Sequence, residues 1–387
     1  MRILTLATLF PNAARPNFGI FVERQTAELA SRDGMDVTVI SPQAIPPWPL
    51  SRHPRYRALA ALPAFEIWRG LNVYRPRFLH LPGTGGHLQP ALMVRAILPL
   101  VRRLHAEKPF DLIDAEFFYP DGPAVRIIAQ ALGLPYSVKA RGADIHHWGN
   151  ALKTRDMVVQ AGRDAHGMLA VSAAIKADMV ALGMPADAIQ VHYTGCDQRR
   201  FAPQDGNGLR AELGVTGPML ISVGALIERK RQHLAIEALP MLPDATLVLA
   251  GAGDRQAHYH ALAIKLGVAD RIIMPGSLPH DDLPRWLAAA DVMVLPSKSE
   301  GLANAWVEAL ACGTPIVICD AGGALELLTD PVAGTISAPD PQAIAQAVRQ
   351  VLASKADPAA VRATVASFTW HRNGDELQRY FARITGR

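Results

Sequence analysis

The chain alternates regularly between short apolar segments and longer segments whose apolar residues recur at helical spacing. Near its start, the mostly apolar runs Ile3–Thr8 and Val37–Ile40 flank a helix predicted for Ile20–Arg32. Strands that are apolar on both faces are typical of a parallel sheet covered by helices on each side. The alternation therefore predicts a doubly wound α/β fold.

The same alternation continues in two series along the chain. The first has strands predicted for Leu112–Ala115, Tyr136–Lys139 and Gly167–Val171, with a helix for Gly122–Leu132. The second has five predicted strands, at Met219–Val223, Thr246–Ala250, Ile272–Met274, Val292–Leu295 and Ile316–Cys319. Four predicted helices lie between them, at His233–Ala238, Gln256–Leu266, Leu283–Ala289 and Ala303–Ala311.

The length of the chain decides between the folds that share this alternation. A β/α barrel usually has about 250 residues, and this chain has 387. The pattern also breaks at a polar stretch, Phe201–Gly208, and restarts with a new strand. We therefore predict two doubly wound domains, residues 1–203 and residues 204–369. A terminal helix is predicted for about 370–387, and we expect it to pack back on the first domain.

Composition excludes several classes of protein. Half of the residues are hydrophobic and 19% are charged, which excludes disorder. Aromatic residues make up only 6%, and no nucleic-acid-binding module is present, so we expect no nucleic-acid partner. The three cysteines form neither a disulfide framework nor a metal site. No apolar run of about 18 residues is present, and we expect a cytoplasmic protein.

Two loops of the second domain carry residues suited to a phosphorylated ligand. Gly224 ends a predicted strand, and Arg229 and Lys230 follow it. At the carboxyl end of a parallel strand such cations can clamp a diphosphate, although a solvated charge run is an equal alternative. The second loop places Glu300 and Glu308 eight residues apart, and we predict that a helix opens at Gly301 between them. Either glutamate, taken alone, fits an ordinary surface position.

Another glycine-rich loop, GAGDRQ, begins at Gly251 after a predicted strand. It resembles a dinucleotide-binding fingerprint, but Gln256 stands where the third glycine belongs. Asp270 starts the next strand, whereas a ribose-binding acid belongs at the end of that strand. The sequence therefore argues against a nicotinamide cofactor.

Three loops of the first domain follow predicted strands in the same way. Gly19 precedes a helix and suits close approach to an anion, although a structural turn explains it equally well. Glu116 lies in the acidic loop DAEFFYPDG, where it either works at a cleft or caps the helix. Arg141 lies in ARGADIHH, whose two adjacent histidines lack the third ligand of a zinc site.

Taken together, these motifs resemble the retaining glycosyltransferases of family 4, which have the GT-B fold. The resemblance spans nearly the whole chain, and Glu300 and Glu308 match the family's E-x7-E signature. It implies two Rossmann-like domains that face each other across a cleft. It rests, in chain order, on FPNAARPNFGIFVERQ, YPDG, RGAD, TGCDQRRF, VGALIERK, LAGAGD and SEGLANAWVEALACGTPIV.

The resemblance implies transfer of a sugar from a nucleotide-diphospho-sugar, the co-substrate, to a hydroxyl group. Glu308 would hold the ribose, Glu300 the donor sugar and Lys230 the diphosphate. No cofactor is implied. The D-x-D metal motif of the other major glycosyltransferase fold is absent, so we expect no catalytic metal. The remaining donor-binding residues that we assign are Gly19, Arg141, Gly224, Arg229, Gly251, Gly301, Leu302, Ala303 and Asn304.

The chain departs from the family at two positions. Ala225 stands where many relatives have arginine, and Arg229 is the candidate to supply that charge. Glu116 stands where many relatives have histidine, which makes it a catalytic candidate beside Glu300. A nucleotide-sugar epimerase on the same fold remains the alternative to a hexosyltransferase.

The family resemblance favours a saccharide or lipid-linked acceptor, in bacterial envelope or exopolysaccharide synthesis. The charge distribution bears on this acceptor. Residues 1–205 carry 23 Lys and Arg against 17 Asp and Glu, a net +6, and the remainder carries −2. Residues 51–110 alone carry +8. This basic 51–110 zone predicts contact with an anionic membrane, on the inner face of the plasma membrane, or with a pyrophosphate-linked lipid. An ordinary solvated surface is the alternative.

Overall fold

A computed structural model describes all 387 residues of the chain. The chain divides into two compact units. The first comprises Met1–Gly195 and Trp370–Arg387, and the second comprises Cys196–Thr369. The division lies eight residues before the 203/204 boundary drawn from the sequence.

The first unit is built on an eight-stranded sheet. The strands of this unit are β1 (Arg2–Leu6), β2 (Asp36–Ile40), β3 (Gln43–Ile45), β4 (Phe65–Trp68), β5 (Leu71–Tyr74), β6 (Arg77–Leu79), β7 (Leu112–Ala115), β8 (Tyr136–Ala140), β9 (Gly167–Ala170) and β10 (Ile189–Val191). Of these, β3 and β6 form a separate small sheet, and the other eight form the large one. Its helices are α1 (Ile20–Ala30), α2 (Pro54–Ala60), α3 (Gln89–Glu107), α4 (Asp121–Leu132), α5 (Arg155–Arg163) and α6 (Ala173–Ala181).

The strand order in this sheet is β10-β9-β8-β7-β1-β2-β5-β4. All pairs are parallel except β4 with β5, and the central strands are buried on both faces, as their apolar sequences predict. The order reverses beside β1, which pairs with β2 on one side and β7 on the other. Ligands of such sheets bind beyond the carboxyl ends of the strands at this switch point.

Residues 42–87 are rich in proline and glycine, yet they contain a hairpin and a separate small sheet. The strands β4 and β5 form an antiparallel hairpin that joins the edge of the large sheet, and β3 and β6 pair as a separate two-stranded sheet. Helix α3 also continues through Pro99, although a proline inside a helix removes one backbone hydrogen bond. The residues before and after Pro99 pack into the core of the unit, and this packing holds the helix together.

The second unit has a six-stranded parallel sheet. Its strands are β11 (Met219–Val223), β12 (Thr246–Ala250), β13 (Ile272–Gly276), β14 (Val292–Leu295), β15 (Ile316–Cys319) and β16 (Gly334–Ser337). Its helices are α7 (Asn207–Glu212), α8 (Gln232–Ala238), α9 (Gln256–Lys265), α10 (Leu283–Ala289), α11 (Asn304–Ala311), α12 (Ala324–Leu327), α13 (Pro341–Ser354) and α14 (Pro358–Ala363). The strand order is β13-β12-β11-β14-β15-β16, so the switch point lies between β11 and β14.

The last helix, α15 (Trp370–Ile384), belongs to the first unit. It packs on α1, and its apolar residues Leu377, Tyr380 and Phe381 are buried against Ile3 of β1 and other core residues of the sheet. The apolar face of α15, from the C-terminal end of the chain, therefore packs against the first sheet.

Candidate active site

Two loops meet at the switch point of the second unit. One follows β11 and runs from Gly224 to a short 3₁₀ turn, Glu228–Lys230. The other follows β14 and carries Glu300. The amide of Lys298 donates to the carbonyl of Arg229 (2.8 Å), and the Arg229 guanidinium donates to the carbonyl of Ser299. Backbone contacts therefore fix the two loops against each other.

These loops bring two cations onto one carboxylate. Lys230 Nζ lies 2.5 Å from Oε1 of Glu300, and Arg229 Nη1 lies 3.1 Å from Oε2. The Glu300 side chain is only 7% exposed. The cluster carries a net charge of +1 and lies at the carboxyl ends of two parallel strands, which suits it to an anionic ligand.

The two cations also decide the protonation state of Glu300. Burial by itself would raise the pKa of this carboxyl, but the charges of Lys230 and Arg229 outweigh it and lower the pKa below its ordinary value. The hydrogen bond that Lys230 donates to the carboxylate acts in the same direction. Glu300 is therefore a negatively charged acceptor of hydrogen bonds at neutral pH.

Two glycines in this region are required by the backbone. Gly224 has φ 145°, a conformation that side-chain-bearing residues rarely adopt. A Cβ on Gly251 would overlap the carbonyl oxygen of Gly224, so glycine there lets the loop after β12 approach the loop after β11. The GAGD motif thus supports the cation-bearing loop.

A third loop, after β15, supports the Glu300 loop from the other side. The amide of Gly323 donates to the carbonyl of Gly301 (2.7 Å). Gly322 has φ 54°, and a Cβ there would overlap the carbonyl oxygens of Glu300 and Gly301. No sequence motif singled out these two residues, although paired glycines shortly after a buried strand are a signal of close backbone approach.

The helix between the two glutamates begins later than predicted. Helix α11 begins at Asn304, so Gly301 lies in the loop and does not open the helix. Leu302 and Ala303, just before the helix, are buried, and Asn304, its first residue, is partly exposed. Ala303 has φ −69° and ψ 120°, an extended conformation, so the first helical turn begins after it.

Glu308, in the middle of α11, has a partner that the sequence did not indicate. His280, in the loop after β13, places Nε2 3.0 Å from Oε1 of Glu308. Both side chains are largely buried, at 17% and 14% exposure. His280 was missed because it lies in a polar loop, PHDD, without any periodic pattern.

In the first unit, the structure brings Glu116 and Arg141 together. Glu116 is buried, and its carboxylate accepts hydrogen bonds from Arg141 and from Gln25 of α1. Arg141 also donates to the Glu116 carbonyl (2.9 Å) and lies over the ring of Phe21 (4.7 Å). The two residues form an almost fully enclosed ion pair at the carboxyl ends of β7 and β8.

Gly19 occupies the loop after β1, beside the switch point of the first unit. It has φ 71° at the start of α1, and a Cβ there would overlap the backbone of Leu9 and Phe10. Glycine is therefore required for the turn that brings α1 against the end of β1.

A buried lysine fixes the orientation of Gln25. Lys139 Nζ donates to Gln25 Oε1 (2.5 Å) and lies 2.8 Å from Nδ1 of His192, whose Nε2 lies 2.9 Å from the carbonyl oxygen of Asn373 in α15. Burial, and then the charge of Arg141, lower the pKa of Lys139 to about 7. The Glu116 carboxylate is thus held by a hydrogen-bonded chain that reaches the terminal helix.

Asp121, at the start of α4, gives a prediction for stability against pH. Burial raises its pKa to about 8, although the amide of Thr8 donates to its Oδ2 (3.0 Å). The folded chain therefore keeps a proton that the unfolded chain releases between about pH 4 and pH 8, and its stability falls as pH rises through this window. The variant Asp121→Asn should remove this fall, on the order of a few kcal/mol, in urea titrations at pH 5 and pH 8.5.

The matched control is Asp156→Asn, which removes an exposed aspartate in the same unit. It should leave the difference between the two pH values as it is in the unaltered chain. An Asp121→Asn variant with an unchanged pH dependence would contradict the assignment to Asp121.

The chain lacks a metal-binding cluster and a membrane-spanning helix. No group of three or more His, Cys, Asp or Glu side chains lies close enough to hold a metal ion. No helix combines the length and apolarity needed to cross a bilayer. The absence of a catalytic metal remains a prediction.

Two protein-family models match the chain, and together they span most of it. The model described as "Glycosyl transferase 4-like domain" matches residues 19–195, and "Glycosyl transferases group 1" matches residues 210–366. The chain is a group 1 glycosyltransferase. The family predicted from the motifs is thereby confirmed, and the transferase class with it.

Curated relatives agree with this family. The chain is 28% identical to the "Putative teichuronic acid biosynthesis glycosyltransferase TuaC" of Bacillus subtilis, over 90% of this chain and 88% of the relative. It is 31% identical to the "GDP-mannose-dependent alpha-(1-6)-phosphatidylinositol monomannoside mannosyltransferase" of Mycolicibacterium smegmatis, over 55% of this chain and 60% of the relative. These comparisons give no support to the epimerase alternative.

Solved structures confirm the GT-B fold of this glycosyltransferase. Anabaena Alr3699/HepE in complex with UDP has a TM-score of 0.76 and 22% identity, over 99% of this chain and 100% of that one. Sucrose-phosphate synthase from Thermosynechococcus elongatus has a TM-score of 0.80 and 20% identity, over 100% and 99%. At this level of identity the likeness concerns the fold alone.

Proposed function

We propose that this glycosyltransferase moves a hexosyl group from a nucleotide-diphospho-sugar to a hydroxyl of a saccharide or lipid-linked saccharide, with retention of configuration and without a catalytic metal. The observation that carries the proposal is the convergence of Lys230 and Arg229 on the buried Glu300 at the switch point of the second unit. Fixed cations stabilise the negative charge that develops on a departing diphosphate.

The remaining residues of the second unit have complementary roles in this proposal. Glu300 accepts hydrogen bonds from hydroxyls of the donor sugar, and Glu308 accepts them from the ribose. Gly301, Leu302, Ala303 and Asn304 offer backbone amides to the sugar and diphosphate near the start of α11. Gly224 and Gly251 allow the backbone to approach the ligand closely.

In the first unit we propose Glu116 as a second catalytic residue and Gly19 and Arg141 as donor-binding residues. The Glu116 carboxylate is fixed in orientation by Arg141 and Gln25. A fixed carboxylate of this kind suits stabilisation of the positive charge that an oxocarbenium-like transition state places on the sugar.

The relatives support the nature of the donor and the biological setting. Alr3699/HepE has been crystallised with UDP and with UDP-glucose. TuaC is named for teichuronic acid biosynthesis, and a further relative is the lipopolysaccharide core biosynthesis glycosyltransferase LpsE of Rhizobium meliloti. We therefore propose a role in bacterial envelope or exopolysaccharide biosynthesis.

A screen of donors tests the proposed function. The purified chain is incubated with UDP-, GDP- and ADP-linked hexoses in the presence of EDTA, and release of the nucleoside diphosphate is measured. We expect one donor to be hydrolysed slowly, at a rate within about twofold of that without EDTA, because Lys230 and Arg229 supply the charge. Release of nucleotide that stops in EDTA would contradict the metal-independent mechanism, and no release from any donor would contradict the donor class.

The first unit has a surface suited to an anionic membrane. It carries 25 Lys and Arg against 17 Asp and Glu, a net +8, while the second unit carries 14 against 18, a net −4. Trp48 is 72% exposed and Leu50 51% exposed, and the arginines Arg52, Arg55 and Arg57 beside them are exposed as well. Exposed apolar residues among arginines suit the headgroup region of a bilayer. Arg75 takes no part in this surface, because it is buried against Glu66.

We propose that this surface, residues 48–57, binds anionic lipid, as a peripheral contact on the inner face of the plasma membrane. In vesicle co-sedimentation, the chain should bind phosphatidylglycerol vesicles and not phosphatidylcholine vesicles. The variant Arg52→Glu/Arg55→Glu/Arg57→Glu should lose most of this binding, since each arginine near the surface contributes about 1 kcal/mol.

The matched control changes the same amount of charge on the second unit, through Lys265→Glu/Arg349→Glu/Lys355→Glu at exposed positions. It should retain most of the binding. Equal losses in the two triple variants, or negligible binding by the unaltered chain, would overturn the proposed surface.

A further inference from the structure

The loop that follows β13 contains a histidine that the proposed transfer does not use. His280 Nε2 lies 3.0 Å from Oε1 of Glu308. An ionised carboxylate only accepts hydrogen bonds, so the histidine nitrogen is the donor. The contact fixes one oxygen of Glu308 and leaves Oε2 to other partners.

Packing and backbone contacts hold the His280 ring in this orientation. The ring meets Phe201 edge to face, with centroids 5.3 Å apart. Arg200 donates to the His280 carbonyl (3.2 Å) and pairs with the neighbouring Asp281 (2.6 Å), which anchors the loop. The other ring nitrogen, Nδ1, is buried and has no hydrogen-bond partner. The hydrogen bond to Glu308 is therefore the one that the ring nitrogens make.

We propose that His280 is a positioning residue for the nucleoside of the donor. It donates to Oε1 of Glu308 and so holds Oε2 in the orientation that receives the ribose hydroxyls. This inference rests on the proposed function, in which Glu308 binds the ribose. A hydrogen bond to a charged acceptor is stronger than a neutral one. Without it, the Glu308 side chain has to be ordered when the ligand binds, which lowers affinity.

Calorimetric titration of the full chain tests this role. UDP, GDP and ADP are titrated, and the nucleotide that binds the unaltered chain most tightly is used for the variants. His280→Leu removes the donor at similar volume and should weaken binding about tenfold, as expected for one charge-assisted hydrogen bond. His280→Gln offers an amide donor and should bind within about threefold of the unaltered chain. In turnover assays, His280→Leu should raise KM for the donor and change kcat less than threefold.

Two controls separate positioning from a general structural effect. Inorganic pyrophosphate carries no ribose, and its affinity should be equal in the unaltered chain and in His280→Leu. In a Glu308→Ala background the histidine has no acceptor to position, so adding His280→Leu should change nucleotide affinity less than twofold. Thermal unfolding of each variant checks that it is folded.

The outcomes that overturn the inference differ from those that overturn the proposed function. Nucleotide binding by His280→Leu within twofold of the unaltered chain overturns the inference alone. So does an equal loss in the Glu308→Ala background, or a parallel loss of pyrophosphate affinity. Failure of all three nucleotides to bind the unaltered chain overturns the proposed function and the inference together.

Discussion

Glu300→Ala should lower kcat by about 10³-fold or more, which corresponds to about 4 kcal/mol of transition-state stabilisation. Glu300 is the buried carboxylate on which Lys230 and Arg229 converge. Its removal takes away the proposed acceptor for the donor-sugar hydroxyls. It also frees two cations that the carboxylate holds in place. Turnover is measured as release of nucleoside diphosphate from the donor identified by the screen.

A second variant separates loss of chemistry from loss of fold. Glu300→Gln keeps the size of the side chain and one carbonyl acceptor, so it should remain folded and still lose about 10²-fold in kcat. The pKa of Glu300 is lower in the folded chain than the ordinary pKa of a glutamate, so the ionised side chain stabilises the fold at pH values above that ordinary pKa. This contribution to the free energy of unfolding is lost as the pH falls through the pKa of the folded chain. The stability difference between the unaltered chain and Glu300→Gln should therefore shrink in acid.

Glu228→Ala is the matched control for the glutamate variants. Glu228 lies in the same loop as Lys230 but is 73% exposed and faces Arg255. Its removal should change kcat less than threefold. If Glu300→Gln had the kcat of the unaltered chain while folded, the role assigned to Glu300 would be wrong.

Lys230→Ala should have the second-largest effect, a loss of about 10²- to 10³-fold in kcat/KM. Lys230 is 13% exposed, and its ammonium group lies 2.5 Å from Glu300, so its charge acts where water screens it weakly. In the proposed mechanism this charge stabilises the departing diphosphate. The loss should therefore appear in single-turnover measurements of the chemical step as well as in donor affinity.

Lys298→Ala is the control for Lys230. Lys298 lies in the neighbouring loop and is exposed, and only its backbone amide contacts Arg229. Its removal should leave kcat/KM within about twofold. Equal losses in Lys230→Ala and Lys298→Ala would indicate a general effect of positive charge and contradict a specific contact.

The sequence predicted the central strands of both sheets, because these strands carry an unambiguous apolar pattern, but it did not indicate the edge strands β10 and β16. Strands β7, β11, β12, β14 and β15 have the bounds that the apolar runs predicted. The hairpin of β4 and β5 has no clear apolar pattern, since β4 lies at the sheet edge and exposes Phe65 and Ile67. A proline inside a helix is normally disruptive, but α3 continues through Pro99 because burial of both halves of the helix outweighs one lost hydrogen bond.

The sequence predicted only those residues of the candidate site that lie in recognisable local motifs. The motifs singled out Glu300, Lys230 and Arg229, and the parallel sheet then brings their loops together. The contact between His280 and Glu308 joins residues 28 apart through tertiary packing, and no spacing rule contains it. The sequence places Lys139 in a strand, as the structure does, but its contacts with Gln25 and His192 join residues that lie far apart in sequence.

The anomeric configuration of the first product shows whether the chain transfers a sugar from a nucleotide-diphospho-sugar with retention. The donor identified by the screen is hydrolysed with excess chain, and the anomeric proton of the released sugar is followed by NMR in the first minutes, before mutarotation. With retention, an α-linked donor should first release the α-sugar. The β-sugar as the first product would contradict it.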